Sequence, residues 1–145
     1  MKVNIKKLHP NAVVPKYAKA GDAGMDLYAT EQGEADKYGN MVYKTGLAME
    51  IPDGHVGLIY PRSSVSKTPH MLRNHVGVID SGYRGNIIAA FNCSRANKYT
   101  ATLFQRLVQI CPPDLSYPIE IVIVKDQQEL GVTERGGGGF GSTGS

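Results

Sequence analysis

The chain of 145 residues has no tryptophan, only two cysteines and no apolar run long enough to span a membrane. Cys93 and Cys111 form no CxxC pair and lie among apolar residues or beside prolines, which favours reduced structural thiols. The opening stretch, MKVNIKKLHP, has no apolar segment of the secretory type. These absences predict a cytoplasmic protein without membrane spans, in the host-cell cytoplasm if the source is viral.

The sequence also lacks a metal-ligand pattern and a strong excess of one charge. The histidines have no zinc-type spacing, so solvated or packed side chains are favoured for all four: His9, His55, His70 and His75. Sixteen basic and 13 acidic residues give a net charge of +3. That balance is too mild to indicate a nucleic-acid or membrane surface, but it is compatible with a small anionic ligand.

No apolar pattern of helical period and length occurs, and short strand-like segments alternate with turn signals. About nine or ten strands of this kind predict a single all-β domain, a sandwich or a barrel. Hairpins are expected around Pro52-Asp53-Gly54 and in the stretch from Gly77 to Ile87. The predicted strands include Val3–Leu8, Met41–Lys44, Leu47–Ile51, His55–Tyr60, Tyr99–Leu103, Leu107–Cys111 and Ile119–Val124.

The chain is organised around the stretch GVIDSGYRGNI, residues 77–87. β-Branched residues lead into Asp80, and Ser81-Gly82 supplies turn residues before a second apolar run. Asp80 is either a carboxylate that caps the turn or a positioned general base. This stretch alone favours the cap.

Three further stretches bear on that choice. Arg62-Ser63-Ser64 offers a guanidinium, two hydroxyls and main-chain amides suited to phosphate, although a serine N-cap explains the serines equally well. In RLVQ, Gln109 is a better candidate for a ligand contact than Gln105. In AGDAGMDLYA, Asp26 is either a cap for backbone amides or a functional carboxylate.

The glycine-rich end, RGGGGFGSTGS, has the composition of a flexible linker. Arg135 and Phe140 do not suit a linker. They suit a tail that wraps a ligand, with the guanidinium on a phosphate and the ring stacked on a base.

Together, AGDAGMDLYA, PRSS, GVIDSGYRGNI, RLVQ and RGGGGFGSTGS resemble, in order and approximate spacing, the five motifs of the trimeric dUTPase family. The resemblance implies a jelly-roll-like β-barrel homotrimer that hydrolyses dUTP to dUMP and pyrophosphate with Mg2+. That activity keeps uracil out of DNA and supplies dUMP for thymidylate synthesis. It also implies active sites shared between subunits, a barrel domain over residues 1–130 and a closing C-terminal segment over residues 131–145.

The resemblance also implies residue roles. Asp80 would orient and deprotonate the attacking water, Tyr83 would pack under the deoxyribose, and Asp26 would reach the metal through water. The remaining residues would bind substrate in three groups: Asn74, Gly77, Val78 and Ile79 at the uracil; Arg62, Ser63, Ser64 and Gln109 at the phosphates; and Arg135, Phe140, Gly141, Ser142 and Thr143 as the closing tail.

Two departures from the family pattern are local. Phe104-Gln105 stands where Gly-Asp is usual before RLVQ, and Ser64 stands where many members have glycine. A related enzyme, dCTP deaminase, uses a glutamate about ten residues after the aspartate, where this chain has Ala90. A non-enzymatic nucleotide sensor, a partner-binding protein on the same fold and a jelly-roll structural subunit are also compatible with an all-β chain of this length.

Overall fold

The computed structural model describes residues 2–31, 34–93, 106–111, 120–134 and 136–137. These ranges hold eleven strands and two short 3-10 helices, Ser63–Lys67 and Gln127–Leu130, so the all-β prediction is confirmed. The strands are β1 (Lys2–Lys7), β2 (Met25–Tyr28), β3 (Glu34–Ala35), β4 (Asn40–Lys44), β5 (Leu47–Glu50), β6 (Val56–Pro61), β7 (His70–Leu72), β8 (Gly77–Asp80), β9 (Ile88–Cys93), β10 (Arg106–Cys111) and β11 (Glu120–Val124). The predicted strand over 99–103 lies outside the described residues.

The strands form three sheets, with orders β11-β1-β5, β2-β10-β6-β8 and β3-β4-β9-β7. Alternation sets the inward faces: in β1, Val3 and Ile5 are buried, and Lys2 and Lys7 are exposed. The apolar faces meet in one core whose most deeply buried side chains include Ile5, Leu27, Leu47, Met49, Ile59, Ile87 and Phe91. Within the described ranges, no helix has the length and apolar character needed to cross a membrane.

The prediction of a hairpin over residues 77–87 was wrong, because the two strands do not pair with each other. β8 pairs with β6 in the second sheet, whereas β9 lies between β4 and β7 in the third. Ile87 accounts for the separation, because its side chain is fully buried and its main chain bonds to Thr45 and to Leu47, the first residue of β5. Ile87 N donates to Leu47 O at 2.8 Å, and Thr45 N donates to Ile87 O at 3.0 Å. The chain between β8 and β9 therefore crosses from one sheet to another.

The turn at Pro52-Asp53-Gly54 does not join paired strands either. β5 pairs with β1, and β6 pairs with β8 and β10. Pro61, expected to stop the strand, is the last residue of β6 and lies opposite Val108. The stretch after it also contains an additional strand, β7, which the sequence pattern did not indicate.

Candidate active site

A cavity of about 660 Å³ has walls from the second and third sheets. β7 and β8 are joined only by residues 73–76, yet they enter different sheets, so the two strands diverge and leave space between them. His75, in that connection, has φ 60, an uncommon value for a residue other than glycine. His75 N donates to Leu72 O at 3.0 Å, which holds the connection tight. Backbone strain at such a position often marks a functional site.

The wall formed by β8 carries the residues expected to read the base. Gly77, Val78 and Ile79 line the cavity, and Asn74 lines it from the preceding connection. β8 is the edge strand of its sheet, paired in the described part of the chain with β6 alone. An edge strand presents main-chain donors and acceptors on its unpaired side. This wall can therefore recognise a flat ligand edge by its backbone.

At the end of β8, Asp80 is exposed and lies opposite Val56. Tyr83 N donates to Asp80 O at 3.0 Å, which fixes the turn that follows. The Tyr83 ring lines the cavity and is largely buried, and its hydroxyl donates to Asn86 O at 2.8 Å. Burial raises the pKa of the Tyr83 phenol above its ordinary 10.0, so the ring stays neutral near pH 7.

Gly85 is required for this arrangement of the tyrosine. A Cβ atom at Gly85 would lie 2.5 Å from the Tyr83 hydroxyl and 2.9 Å from the carbonyl oxygen of Gly137. Real Cβ atoms do not approach that closely, so any side chain at this position would push the ring or the later segment away. The glycine thus lets the turn after β8 and the later segment at Gly137 meet beside the cavity.

Arg84 ties the turn after β8 to the segment after β11. Its Nε donates to Leu130 O at 2.6 Å, its Nη1 donates to Ser81 O at 2.5 Å, and its Nη2 lies 3.5 Å from Glu50 Oε1. Its main-chain N donates to Gly136 O at 2.6 Å. The described part of the C-terminal segment consequently starts beside the turn that carries Asp80. Neither Arg84 nor this contact was predicted from the sequence.

The candidate phosphate residues lie elsewhere. Arg62 Nε is 2.9 Å from Asp26 Oδ1, and the Asp26 side chain is buried, so the two form an ion pair at the entrance to the first 3-10 helix. Arg62 is the N-cap of that helix and makes no side-chain capping bond, so the alternative of a serine N-cap was wrong. Ser63 and Ser64 are exposed.

Backbone pairing adds Gln109 to this group. In β10, Gln109 lies opposite Asp26 on one side and opposite Tyr60 on the other. The second sheet therefore brings the backbone of Gln109 next to Asp26, the predicted metal carboxylate, which is also paired with Arg62.

One chain does not bring the two groups together. Asp80 lies opposite Val56, the first residue of β6, whereas Arg62 follows Pro61, the last residue of that strand. A strand rises about 3.3 Å per residue, so six residues place the two positions about 20 Å apart. Asp80 and Arg62 thus lie at opposite ends of β6.

The predicted tail residues Arg135, Phe140, Gly141, Ser142 and Thr143 lie outside the described residues, as do Phe104 and Gln105.

Sequence reasoning missed several cavity residues: Asp36, Tyr38, Asn40, Val42 and Arg73. The one available hint was the aromatic residue in KYGN, residues 37–40, a stretch whose glycine and asparagine are typical of a turn. Among the described residues, no three histidine, cysteine, aspartate or glutamate side chains are grouped so that they could hold a metal ion.

The fold and the site define an all-β domain with a cavity, beside an edge strand and an exposed carboxylate, that has room for a small ligand. The dUTPase family model matches residues 10–144, and the chain belongs to the dUTPase family. A deoxyuridine 5'-triphosphate nucleotidohydrolase of Wolinella succinogenes is 38% identical over 145 residues, covering 99% of this chain and 95% of the relative.

Two solved structures show the same fold. The dUTPase of Staphylococcus bacteriophage 80alpha, with dUpNHpp, has a TM-score of 0.62 and 28% identity, covering 99% of this chain and 98% of that one. A mutant dUTPase from phage phi11 of S. aureus, described as coordinating a structural Mg(II) ion, has a TM-score of 0.61 and 24% identity, covering 87% of this chain and 98% of that one. The jelly-roll-like β fold expected from the motifs is confirmed.

Proposed function

We propose that the protein hydrolyses dUTP to dUMP and pyrophosphate, with water attacking the α-phosphorus, so that uracil is kept out of DNA and dUMP is supplied for thymidylate synthesis. The observation that carries this proposal is the junction at the end of β8. There an edge strand suited to reading a base leads directly into an exposed carboxylate and a buried tyrosine. The strand, the carboxylate and the tyrosine would contact the base, the reacting phosphate and the sugar respectively.

The roles follow from the chemistry of each group. Main chain of Gly77 to Ile79, with Asn74, would bind the uracil edge, because fixed amides reject a base whose donors and acceptors do not match. The Tyr83 ring would pack against the deoxyribose and leave no room for a 2′-hydroxyl. Asp80 would accept the proton of the attacking water, since a carboxylate within reach of that water can act as general base.

Arg62, Ser63, Ser64 and Gln109 would bind the phosphate oxygens by charge-assisted and neutral hydrogen bonds. Mg2+ fits the available donor set, because a cation carried on a triphosphate takes its ligands from phosphate oxygens and water and needs no protein cage. Asp26 would hold one of those waters. When bound, the ion would neutralise charge on the phosphates during transfer.

Deamination of dCTP is not favoured by the cavity. Ala90, at the position where a deaminase would need its glutamate, is a cavity-lining residue of β9. A methyl group cannot carry a proton to the leaving amine. Pyrophosphate release measured side by side from dUTP, dCTP, dTTP and UTP tests the assignment, and equal rates on all four would contradict it.

We also propose a homotrimer with active sites shared between subunits, in a cytoplasmic setting. The support is the separation of about 20 Å between Asp80 and Arg62, which exceeds the reach of a side chain across one site. A second chain could place its own Arg62 group beside Asp80 of the first. Closed cyclic symmetry would then give three equivalent sites.

A mixing experiment tests the shared site. One variant carries Asp80→Asn, and the other is truncated after Gly137, which keeps the described contacts of the C-terminal segment with Arg84. The variants are unfolded together in equal amounts and refolded. If Asp80 and the tail come from different subunits, a site works with probability about 1/2 × 1/2, so about a quarter of wild-type activity returns. No recovery, with mixed trimers seen by native mass spectrometry, would refute the exchange of tails and leave the hydrolase assignment intact.

For the tail, we propose that residues 131–145 close over bound nucleotide, with Arg135 on phosphate, Phe140 stacked on the base, and Gly141, Ser142 and Thr143 near the phosphates. Hydrogen exchange over residues 138–145, with and without dUpNHpp, measures this directly. We expect stronger protection with the analogue, and equal protection in both states would contradict closure.

A further inference from the structure

The cavity extends beyond the residues that the five motifs supply. Asp36, Tyr38 and Asn40, from the turn between β3 and β4, line it together with Arg73, Asn74 and Val78. This turn belongs to the third sheet, whereas β8 belongs to the second. The cavity therefore has a second wall opposite the edge strand that would read the base.

The turn is held rigidly by one carboxylate. Asp36 Oδ1 accepts hydrogen bonds from Tyr38 N at 2.9 Å and Asn40 N at 2.8 Å, and Oδ2 accepts one from Asn40 Nδ2 at 2.9 Å. Gly39 has φ 78, a left-handed conformation that glycine adopts without strain. The Asn40 bonds hold the pKa of the Asp36 carboxyl below its ordinary value, and the Arg73 guanidinium contributes to that lowering. The backbone of the turn is thus held in place, which sets the position of Tyr38 beside the cavity.

Tyr38 occupies the tip of this turn and is 75% exposed although it lines the cavity. The Lys37 ammonium lies 5.0 Å from the centre of its ring, within the range of a cation–π contact. An aromatic ring held on a rigid turn beside a cavity can stack on a flat ligand without losing much conformational freedom.

We propose that Tyr38 is a base-binding residue that stacks on the pyrimidine base of the bound nucleotide, across the cavity from the base-reading strand β8. This inference rests on the proposed function, because it takes the nucleotide to be the occupant of the cavity. It assigns to the turn Asp36–Asn40 a recognition role that lies outside the five motifs.

The absence of tryptophan gives a direct test. Tyr38→Trp introduces the only tryptophan in the chain, so its fluorescence reports on this position alone. Titration with dUMP should change its emission and give a saturable binding curve. Leu8→Trp, at a partly exposed position that does not line the cavity, is the matched control and should not respond.

Binding measurements on variants of Tyr38 provide a second test. Loss of base stacking on an aromatic side chain weakens binding by about 5- to 100-fold. Tyr38→Ala should therefore weaken dUMP and deoxyuridine by the same factor within that range, because a base contact does not depend on phosphate. Tyr38→Phe should bind as wild type does, since the ring makes the contact. Asp36→Ala, which keeps the ring but removes the support of the turn, should weaken both ligands.

The outcomes separate the two proposals. If the wild type binds dUMP and hydrolyses dUTP, but Tyr38→Ala binds dUMP within about twofold of it or the emission of Tyr38→Trp does not respond, the stacking role is overturned and the hydrolase stands. If Tyr38→Ala weakens dUMP but leaves deoxyuridine unaffected, the residue acts on the phosphate and the base assignment is overturned. A wild type that neither binds dUMP nor hydrolyses dUTP would overturn both proposals.

Discussion

The base-side region (residues 74–83) and the phosphate-side region (residues 62–64 with Asp26) are built in opposite ways. The base-side region consists of an edge strand, apolar walls and a buried tyrosine, so its shape is set by backbone and packing. The phosphate-side region consists of exposed serines and an arginine that is paired with a buried aspartate. Within the described chain the first region forms one wall of a cavity, whereas the second lies at the other end of β6.

This difference indicates that base selectivity and phosphate binding can be changed separately. A backbone-built wall discriminates between bases because unmatched buried donors and acceptors are costly. Side-chain donors for phosphate bind any triphosphate, and they act through charge. Substitutions in the base-side region should therefore alter which nucleotide is used, and those in the phosphate-side region should alter how tightly every nucleotide is held.

The largest effect on activity is expected at Asp80, the last residue of β8. Asp80→Asn should lower kcat by about 10²- to 10⁴-fold while leaving the fold and nucleotide affinity unchanged, because the amide has the shape of the carboxylate but cannot accept a proton. Single-turnover kinetics and calorimetry with dUpNHpp measure the two quantities separately. Asp53→Asn, at an exposed turn before β6, is the control. Near-full activity of Asp80→Asn would return Asp80 to a turn-capping role.

The phosphate-side region can be dissected by a double-mutant cycle. Arg62→Gln removes the partner of a buried carboxylate, so we expect a lower melting temperature and a KM for dUTP raised about tenfold or more. Adding Asp26→Asn removes the uncompensated charge and should restore much of the stability without restoring KM. Recovery of both quantities in the double variant would show that Arg62 serves the fold alone.

A smaller and more selective effect is expected at the sugar. Tyr83→Ala should raise the activity on UTP relative to dUTP, because it opens the space that a 2′-hydroxyl needs. Tyr83→Phe keeps the ring and should keep the preference for dUTP. The ratio of kcat/KM for the two nucleotides is the measurement, after circular dichroism has shown that the alanine variant is folded. An unchanged ratio would mean that another residue excludes UTP.

The smallest effect is expected in the stability of the folded protein at alkaline pH. The pKa of Tyr83 is raised in the folded protein, so the folded state holds its proton more tightly than the unfolded state does. The resulting stability is fully present below pH 10.0 and is lost as pH rises through the folded pKa. Thermal melts above that pH should therefore fall more steeply for wild type than for Tyr83→Phe. Parallel curves would show that the phenol does not titrate differently on folding.

The sequence was sufficient to predict the elements whose periodicity is local. Val3 and Ile5 alternate with polar neighbours, and the strand lies within one residue of the prediction at each end. What periodicity cannot specify is the partner of a strand. Ile87 reads as the start of a second hairpin strand, but its backbone bonds to Thr45 and Leu47, about forty residues earlier.

The same limit applies to the site. Asp80 and Tyr83 could be assigned roles because they lie in one short stretch that resembles a family motif, and that stretch lines the cavity or borders it. Tyr38 lies about forty residues before them, in a stretch that reads only as a turn. The ion pair of Asp26 with Arg62 is likewise a product of the β2-β10-β6 arrangement, which no local pattern of either residue indicates.

The parallel pairing of β1 with β11 has a consequence for synthesis. β1 can pair with β5 early, but its other edge stays open until Glu120–Val124 has left the ribosome. At about 5–20 residues per second, the 118 residues between paired Lys2 and Glu120 take roughly 6–24 s to translate. An edge that stays open for that time can pair with other chains. The charges of Lys2, Lys6 and Lys7 oppose such pairing. The lysines of β1 would then matter most for the nascent chain.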